Sequence, residues 1–306
     1  SALKSFKIGR SIEITKGLIH NYRNREYIDQ CIGMCKISPR VEESYDLAIA
    51  YSAPVSLALY YVAYNIKANK KWTWIHNEVD QITVDIQDAE NVFKEYKIKK
   101  AAQVLDLGCG TGKMSRRLAR EGYQVTAVDN SMDMLEIAAS EEDDHILYVL
   151  QDMVSLELPQ QVDAAVSICD CMNYILEEDD LKEAFRRVKR FLKEDGVFIF
   201  DMNSHYKYKE ILACNTFAED REDASFIWDN FYDEEDRINE YQLSLFIQNE
   251  EGTYNKYEEL HLQKAYEEGE ITRLLHEAGF STIRVLDAET MGEVKEDTQR
   301  LYFIAN

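Results

Sequence analysis

At 306 residues, 45% of them hydrophobic, the chain can build one large core or a core with an appendage. Its net charge of −22 is unevenly placed: residues 1–100 hold 15 Lys and Arg against 12 Asp and Glu, a balance of +3, so residues 101–306 carry −25. An acidic body of that size is a poor platform for nucleic acid. The six cysteines, at 31, 35, 109, 169, 171 and 214, do not suggest a disulfide framework in a chain this long, and no histidine sits at a spacing that would complete a metal centre with them.

Residues 1–85 read as a helical extension. Ser11 to Tyr27 is rich in helix formers, and Ser38-Pro39 suits a helix start. Leu47 to Ile66 lacks charge and is long enough to span a bilayer, but its Pro54, Ser52, Ser56, Asn65 and tyrosines favour a buried helix. No signal peptide is visible and a cytoplasmic setting is expected. Tyr45, Tyr51, Tyr60, Tyr61, Tyr64, Trp72 and Trp74 crowd this region, as a helical core or an aromatic lid over an acceptor pocket would require. The same helices offer a homodimer contact.

From Asp85 the pattern changes. A helix over 85–100 leads into strands at about 103–107, 124–128, 146–150, 163–168 and 197–201, alternating with helices at about 113–121, 131–140 and 178–193. Such alternation predicts a parallel sheet with helices on both faces. Asp195-Gly196 reads as the turn before the fifth strand. Three antiparallel strands then follow, 226–232, 237–248 and 254–266, as a β-insert at about 215–266. A helix over 267–278 ends at Gly279, and strands at 281–287 and 299–305 close the chain. The expected division is thus an extension, 1–85, and a catalytic domain, 86–306.

The richest motif is Val104-Leu-Asp-Leu-Gly-Cys-Gly-Thr-Gly112, a buried strand breaking into a glycine turn that opens a helix. Glycines let the backbone pass close to a ligand, and the helix start aims free N–H groups at it. A nicotinamide-binding turn would read GxGxxG, whereas this one reads GxGxG. The next strand ends at Asp129 and the third at Gln151-Asp152.

With AVDNS at 127–131, QDM at 151–153, SICDCMNY at 167–174 and GVFIFD at 196–201, this set resembles the class I S-adenosylmethionine-dependent methyltransferases. The β-insert and the closing strand Gln299-Arg-Leu-Tyr-Phe303 resemble the glycine and amino-sugar N-methyltransferase type and related bacterial methyltransferases. The resemblance implies a Rossmann-like, seven-stranded α/β core with helices on both faces, an antiparallel insert after the fifth strand, and S-adenosylmethionine as cofactor. It further implies that Asp106 holds the methionine amino group, with Gly108, Cys109 and Gly110 against the cofactor. Asp129 would take the ribose hydroxyls, with Asn130 and Met134 beside it. Asp152 would accept from the adenine amino group, Met153 would pack on the ring, and Asp170 would lie near the methionine portion. For a single Asp, capping a helix explains its place as well.

Methyl transfer needs a base only if the acceptor must lose a proton early. Tyr174 and His205 are the candidates, and His261 on the insert is a further one. The expected reaction is methylation of nitrogen or oxygen on a small molecule. Alternatives are a peptide or RNA acceptor, or a non-catalytic protein that binds the cofactor as a regulator.

Overall fold

In the computed structural model of the chain, the described residues are 44–51, 67–74, 86–140, 143–220, 224–249 and 251–306. They fall into two compact units. Among the described residues no helix is long and apolar enough to cross a membrane.

The larger unit contains a seven-stranded sheet. Its elements are α1 (Ile86–Glu95), β3 (Gln103–Leu107), α2 (Lys113–Arg120), β4 (Gln124–Asp129), α3 (Met132–Ala138), β5 (Ile146–Leu150), β6 (Val162–Ser167), α4 (Glu178–Phe191), β7 (Leu192–Asn203), α5 (Glu268–Ala278), β12 (Ile283–Asp287) and β13 (Arg300–Ala305). The strand order is β12-β13-β7-β6-β3-β4-β5. β3, β4, β5, β6 and β7 pair in parallel, and β13 runs antiparallel to both β7 and β12.

Alternation along the strands decides which face each residue feeds. Leu105, Leu107, Phe198, Phe200 and Phe303 enter one core layer, under Leu181, Phe185 and Val188 of α4 and Ile271 and Leu274 of α5. Val104, Val197, Ile199 and Ile304 enter the other, under Phe93, Leu118 and Leu135. Phe200 and Phe303 stack at 4.7 Å across neighbouring strands. Both faces are covered, which is why these strands read as apolar runs. In α4 the buried positions recur at helical spacing, and Glu178, Asp179 and Asp180 open it while Lys189 and Arg190 close it. Gly279, at φ 102°, ends α5 in the left-handed conformation expected of a terminal glycine.

β7 follows directly on α4, and the expected turn at Asp195-Gly196 appears as a bulge in it: Leu192 pairs with Val162 of β6 and Val197 with Ala164, which leaves residues 193–196 out of the ladder. One sequence expectation is corrected. In the extension, Ser44–Tyr51 (β1) and Lys67–Trp74 (β2) are parallel strands, where residues 1–85 were expected to be helical. Aromatic and β-branched residues at Tyr45, Ile49, Tyr51, Trp72, Thr73 and Trp74 favour extended backbone once a partner strand is present. The other expected helices of residues 1–85, the lid and the dimer contact lie outside the described residues.

The insert brings a strand that the sequence did not suggest, β8 (Thr216–Asp220), before β9 (Ala224–Asp233), β10 (Ile238–Gln248) and β11 (Tyr254–Lys264). A second sheet has the order β1-β2-β8-β9-β10-β11, with Trp74 of β2 paired to Ala218 of β8. Residues 229–243 and 258–264 of the insert belong to the larger unit, whereas 216–228 and 244–257 belong to the smaller. The insert is therefore shared, where the sequence placed it wholly with the core.

Candidate active site

Strand order reverses at β3: β4 and β5 lie on one side and β6 and β7 on the other. Open α/β sheets bind ligands outside the carboxyl ends of the strands at such a point. Asp106 stands there with 1% exposure, and its carboxylate accepts from Ser115 Oγ in the first turn of α2. Burial first, and then the charge of Asp129, push its pKa up to about 6. A carboxylate whose ionised form is penalised by burial gains from a cation beside it, and is a receptor for one.

The turn after β3 is fixed at both glycines that matter. Gly108 has φ 75°, and a Cβ there would stand 2.7 Å from Cys171 Sγ. Gly110 has φ 51°, and a Cβ there would meet nothing within 4 Å. The first glycine lets the loop after β6 close against the turn. The second leaves open space above bare backbone.

Asp129 ends β4 and is drawn to the same turn. Its Oδ2 accepts from Gly110 N–H at 2.8 Å and its Oδ1 from Ser131 N–H at 2.9 Å. Asn130 beside it is exposed, and Met134, in the first turn of α3, is 42% exposed. Asp152 caps a short 3-10 turn, Met153–Ser155, accepting from Val154 N–H through Oδ1. Met153 Cε comes within 3.8 Å of the place a Gly108 Cβ would take. Cys109 contributes backbone only; its side chain is buried in the core under α2 and α3, which pushes its thiol pKa far up.

Asp170 has a different setting from the one expected. Its Oδ1 accepts from Arg300 at 2.8 Å and its Oδ2 from Gln263 Nε2 at 2.7 Å. Arg300 also pairs with Asp201, whose other oxygen accepts from Cys169 N–H at 2.7 Å. Burial opposes ionisation of Asp170, but the Arg300 and Lys207 charges and the Gln263 hydrogen bond hold its pKa below the ordinary value. Cys169 and Asp170 stand consecutively at φ 71° and 51°, a strained pair for residues other than glycine. The ionic network fixes this turn. Lys207 joins it, donating to Asn203 Oδ1 at 2.8 Å, and burial with the Arg300 charge lowers its pKa to about 8. Arg300 left a trace in the sequence as the one charged residue of an otherwise apolar strand, and Gln263 as a member of the polar face it shares with Glu259 and His261; Lys207 left none.

Past this turn, Cys171 Sγ contacts the carbonyls of Gly108 and Ile168, and the 3-10 turn Cys171–Tyr174 ends at Tyr174. The Tyr174 ring is 43% exposed, but its hydroxyl meets Tyr241 Oη at 2.5 Å and His261 Nδ1 at 3.2 Å. His261 Nε2 meets Glu259 at 3.1 Å. Glu259 lies two residues before His261 on the same face of the strand, as the sequence alternation predicts, whereas Tyr241 was invisible in the sequence, since only the fold brings β10 to this loop.

His205 is placed elsewhere. It pairs with Glu267 at 2.5 Å and lines a cavity of about 330 Å³ with Tyr206, Tyr266 and Thr298, which includes no residue of the glycine turn.

Residues 104–196 match the model of a methyltransferase domain family. A methyltransferase-named protein of Geobacillus sp. (strain WCH70) is 35% identical over 215 residues, 69% of this chain and 87% of that protein. The glycine/sarcosine N-methyltransferase of Aphanothece halophytica is 25% identical over 214 residues, 68% of this chain and 76% of that enzyme. Among solved structures, an S-adenosylmethionine-dependent methyltransferase from Clostridium acetobutylicum ATCC 824 is similar with a TM-score of 0.66 and 29% identity, over 71% of this chain and 88% of that one. The buried acid at the end of β3, the bare glycine backbone and the acid at the end of β4 are a donor and acceptor set that fits this cofactor. The chain belongs to the S-adenosylmethionine-dependent methyltransferases.

Proposed function

We propose that the methyl group is transferred to a nitrogen or oxygen of a small-molecule acceptor. The observation that carries this reading is the Tyr174 hydroxyl cluster, which follows directly on the Cys171 contact with the glycine turn. S-adenosylmethionine supplies an activated methyl on sulfur, and the protein's part is to align the acceptor and exclude water. Asp106 holds the methionine ammonium, a role its burial suits. Asp129, already anchoring Gly110 N–H, takes the ribose hydroxyls with its remaining lone pairs. Asp152 offers the adenine amino group the oxygen that does not cap Val154, and Met153 packs on the ring. Tyr174 meets the acceptor. His205, paired to Glu267 in a separate cavity, stays outside the reaction. Asp170 supports the site as a positioning residue, since Arg300 and Gln263 occupy both its oxygens. The relative that acts on glycine and sarcosine supports a small acceptor, and the acidic body disfavours RNA.

The test incubates the full chain with methyl-labelled cofactor and a panel of amines, alcohols, phenols and carboxylates, beside peptide and RNA pools. Label in a small molecule is expected. Label confined to peptide or RNA, or cofactor bound without any transfer, would overturn the reading.

A further inference from the structure

Four side chains at the acceptor end form a hydrogen-bonded chain whose direction is fixed. A carboxylate only accepts, so Glu259 requires the proton of His261 on Nε2. Nδ1 then carries a lone pair and must accept from Tyr174 Oη–H. Tyr174 has spent its only proton, so Tyr241 Oη–H donates to the Tyr174 oxygen. One lone pair of Tyr174 is left, and among the described residues no further side chain donates to it. The His261 ring is held against rotation, stacked on Tyr241 at 4.6 Å and edge-on to Tyr174 at 5.8 Å.

We infer that Tyr174, His261 and Glu259 form a one-way proton relay, and that the acceptor bears a proton on the atom that is methylated: a hydroxyl or an ammonium. The inference rests on the proposed small-molecule reading and deepens it. With a hydroxyl acceptor, a lone pair of its oxygen forms the bond to the methyl carbon. The carbon–sulfur bond breaks, with its electron pair going to sulfur. The acceptor's proton passes to Tyr174 Oη as the Tyr174 proton passes to His261 Nδ1, and Glu259 faces the imidazolium so formed. An ammonium delivers its proton by the same route before its nitrogen attacks. Burial first, and then Tyr241, hold the Tyr174 hydroxyl far above the ordinary phenol range, so no standing tyrosinate exists and the proton must be handed on. Tyr174 is the catalytic residue, and His261 and Glu259 are positioning residues acting through it. Thioethers, which have no proton to give, gain nothing from such a site.

The first measurement needs no acceptor. The full chain, labelled with 15N-histidine, is observed by NMR with S-adenosylhomocysteine present, and His261 is assigned from its loss in His261→Gln. A ring protonated on Nε2 with Nδ1 hydrogen-bonded is expected. Tyr174→Phe should remove the Nδ1 bond, and Glu259→Gln should populate the other tautomer. A ring protonated on Nδ1, or one unmoved by Tyr174→Phe, overturns the relay. The second measurement compares methylation of 4-methylumbelliferone and benzylamine with that of the proton-free thioethers dimethyl sulfide and tetrahydrothiophene. His261→Gln should lower kcat roughly a hundredfold on the better proton-bearing probe, the scale of general base catalysis, with KM little changed. Faster methylation of the proton-free probes, or no change in kcat, also overturns it. A relay seen by NMR in a chain that methylates none of these probes would fail the small-molecule reading instead.

Discussion

Two carboxylates at the ends of neighbouring strands behave in opposite ways. Asp129 lies at the rim, where two backbone N–H groups already meet it. Asp129→Ala removes charge-assisted hydrogen bonds that contribute about 1.5–3 kcal/mol each. Calorimetry should show S-adenosylhomocysteine binding weakened by roughly ten- to a hundredfold; an unchanged Kd would take Asp129 out of the site. Asp106 is enclosed and destabilises the fold that contains it. Its carboxyl titrates at about 6 in the folded chain against an ordinary 3.8. The native state therefore holds the proton longer, and the stability this confers is present below 3.8 and lost as pH rises through about 6. The difference corresponds to about 3 kcal/mol. Asp106→Asn should flatten this part of the stability–pH curve, raise Tm at neutral pH and abolish cofactor binding. Thermal melts across the range would show no difference from wild type if the acid were not strained.

At the scale of elements, one arginine ties three segments together. Arg300 of β13 reaches Asp201 of β7 and Asp170 in the loop after β6, and Asp170 passes the contact to Gln263 of β11. Removing one partner of a buried pair leaves an uncompensated charge, at a cost of about 3–5 kcal/mol. Arg300→Met should show a loss of that order in urea unfolding. The triple variant with Asp170→Asn and Asp201→Asn should recover part of it, because the two carboxylates are then no longer buried without their arginine. If Arg300→Met unfolds at the wild-type urea concentration, the network does not hold the loop. The loop's left-handed residues, Cys169 and Asp170, give the network its purpose, since they place Cys171 against Gly108.

At the scale of the whole molecule, the seven-stranded sheet is complete within the larger unit, whereas the smaller unit combines β1 and β2 with outer parts of the insert. Deleting residues 1–85 should leave a chain that binds S-adenosylhomocysteine within about tenfold of the parent, an effect of ~1.4 kcal/mol or less. The deletion also strips β2 from β8 and bares a sheet edge, and unpaired edges recruit other chains. Light scattering should therefore report self-association of the truncated protein. A truncated chain that stays monomeric would show that β8 needs no cover, and loss of all binding would show that the extension is part of the cofactor site.

The sequence by itself determined the core. Periodicity located β3 to β7 and their helices, because burial on both faces of a parallel sheet forces apolar runs that are readable one segment at a time. The glycine turn and its flanking acids were legible because they are local: Asp106, Gly108 and Gly110 lie within one turn. Asp129 and Asp152 mark strand ends. Strand identity in the extension was not legible, since β1 and β2 draw their hydrogen bonds from each other and from β8, far along the chain. The same holds for chemistry. Asp170 reads as a free strand-end acid until Arg300, 130 positions later, is seen to neutralise it. Tyr174 reads as a lone tyrosine until the insert brings Tyr241 and His261 to its hydroxyl. Tertiary structure alone decided these, because hydrogen bonds and ion pairs act over a few ångströms and the residues that make them are scattered along the chain.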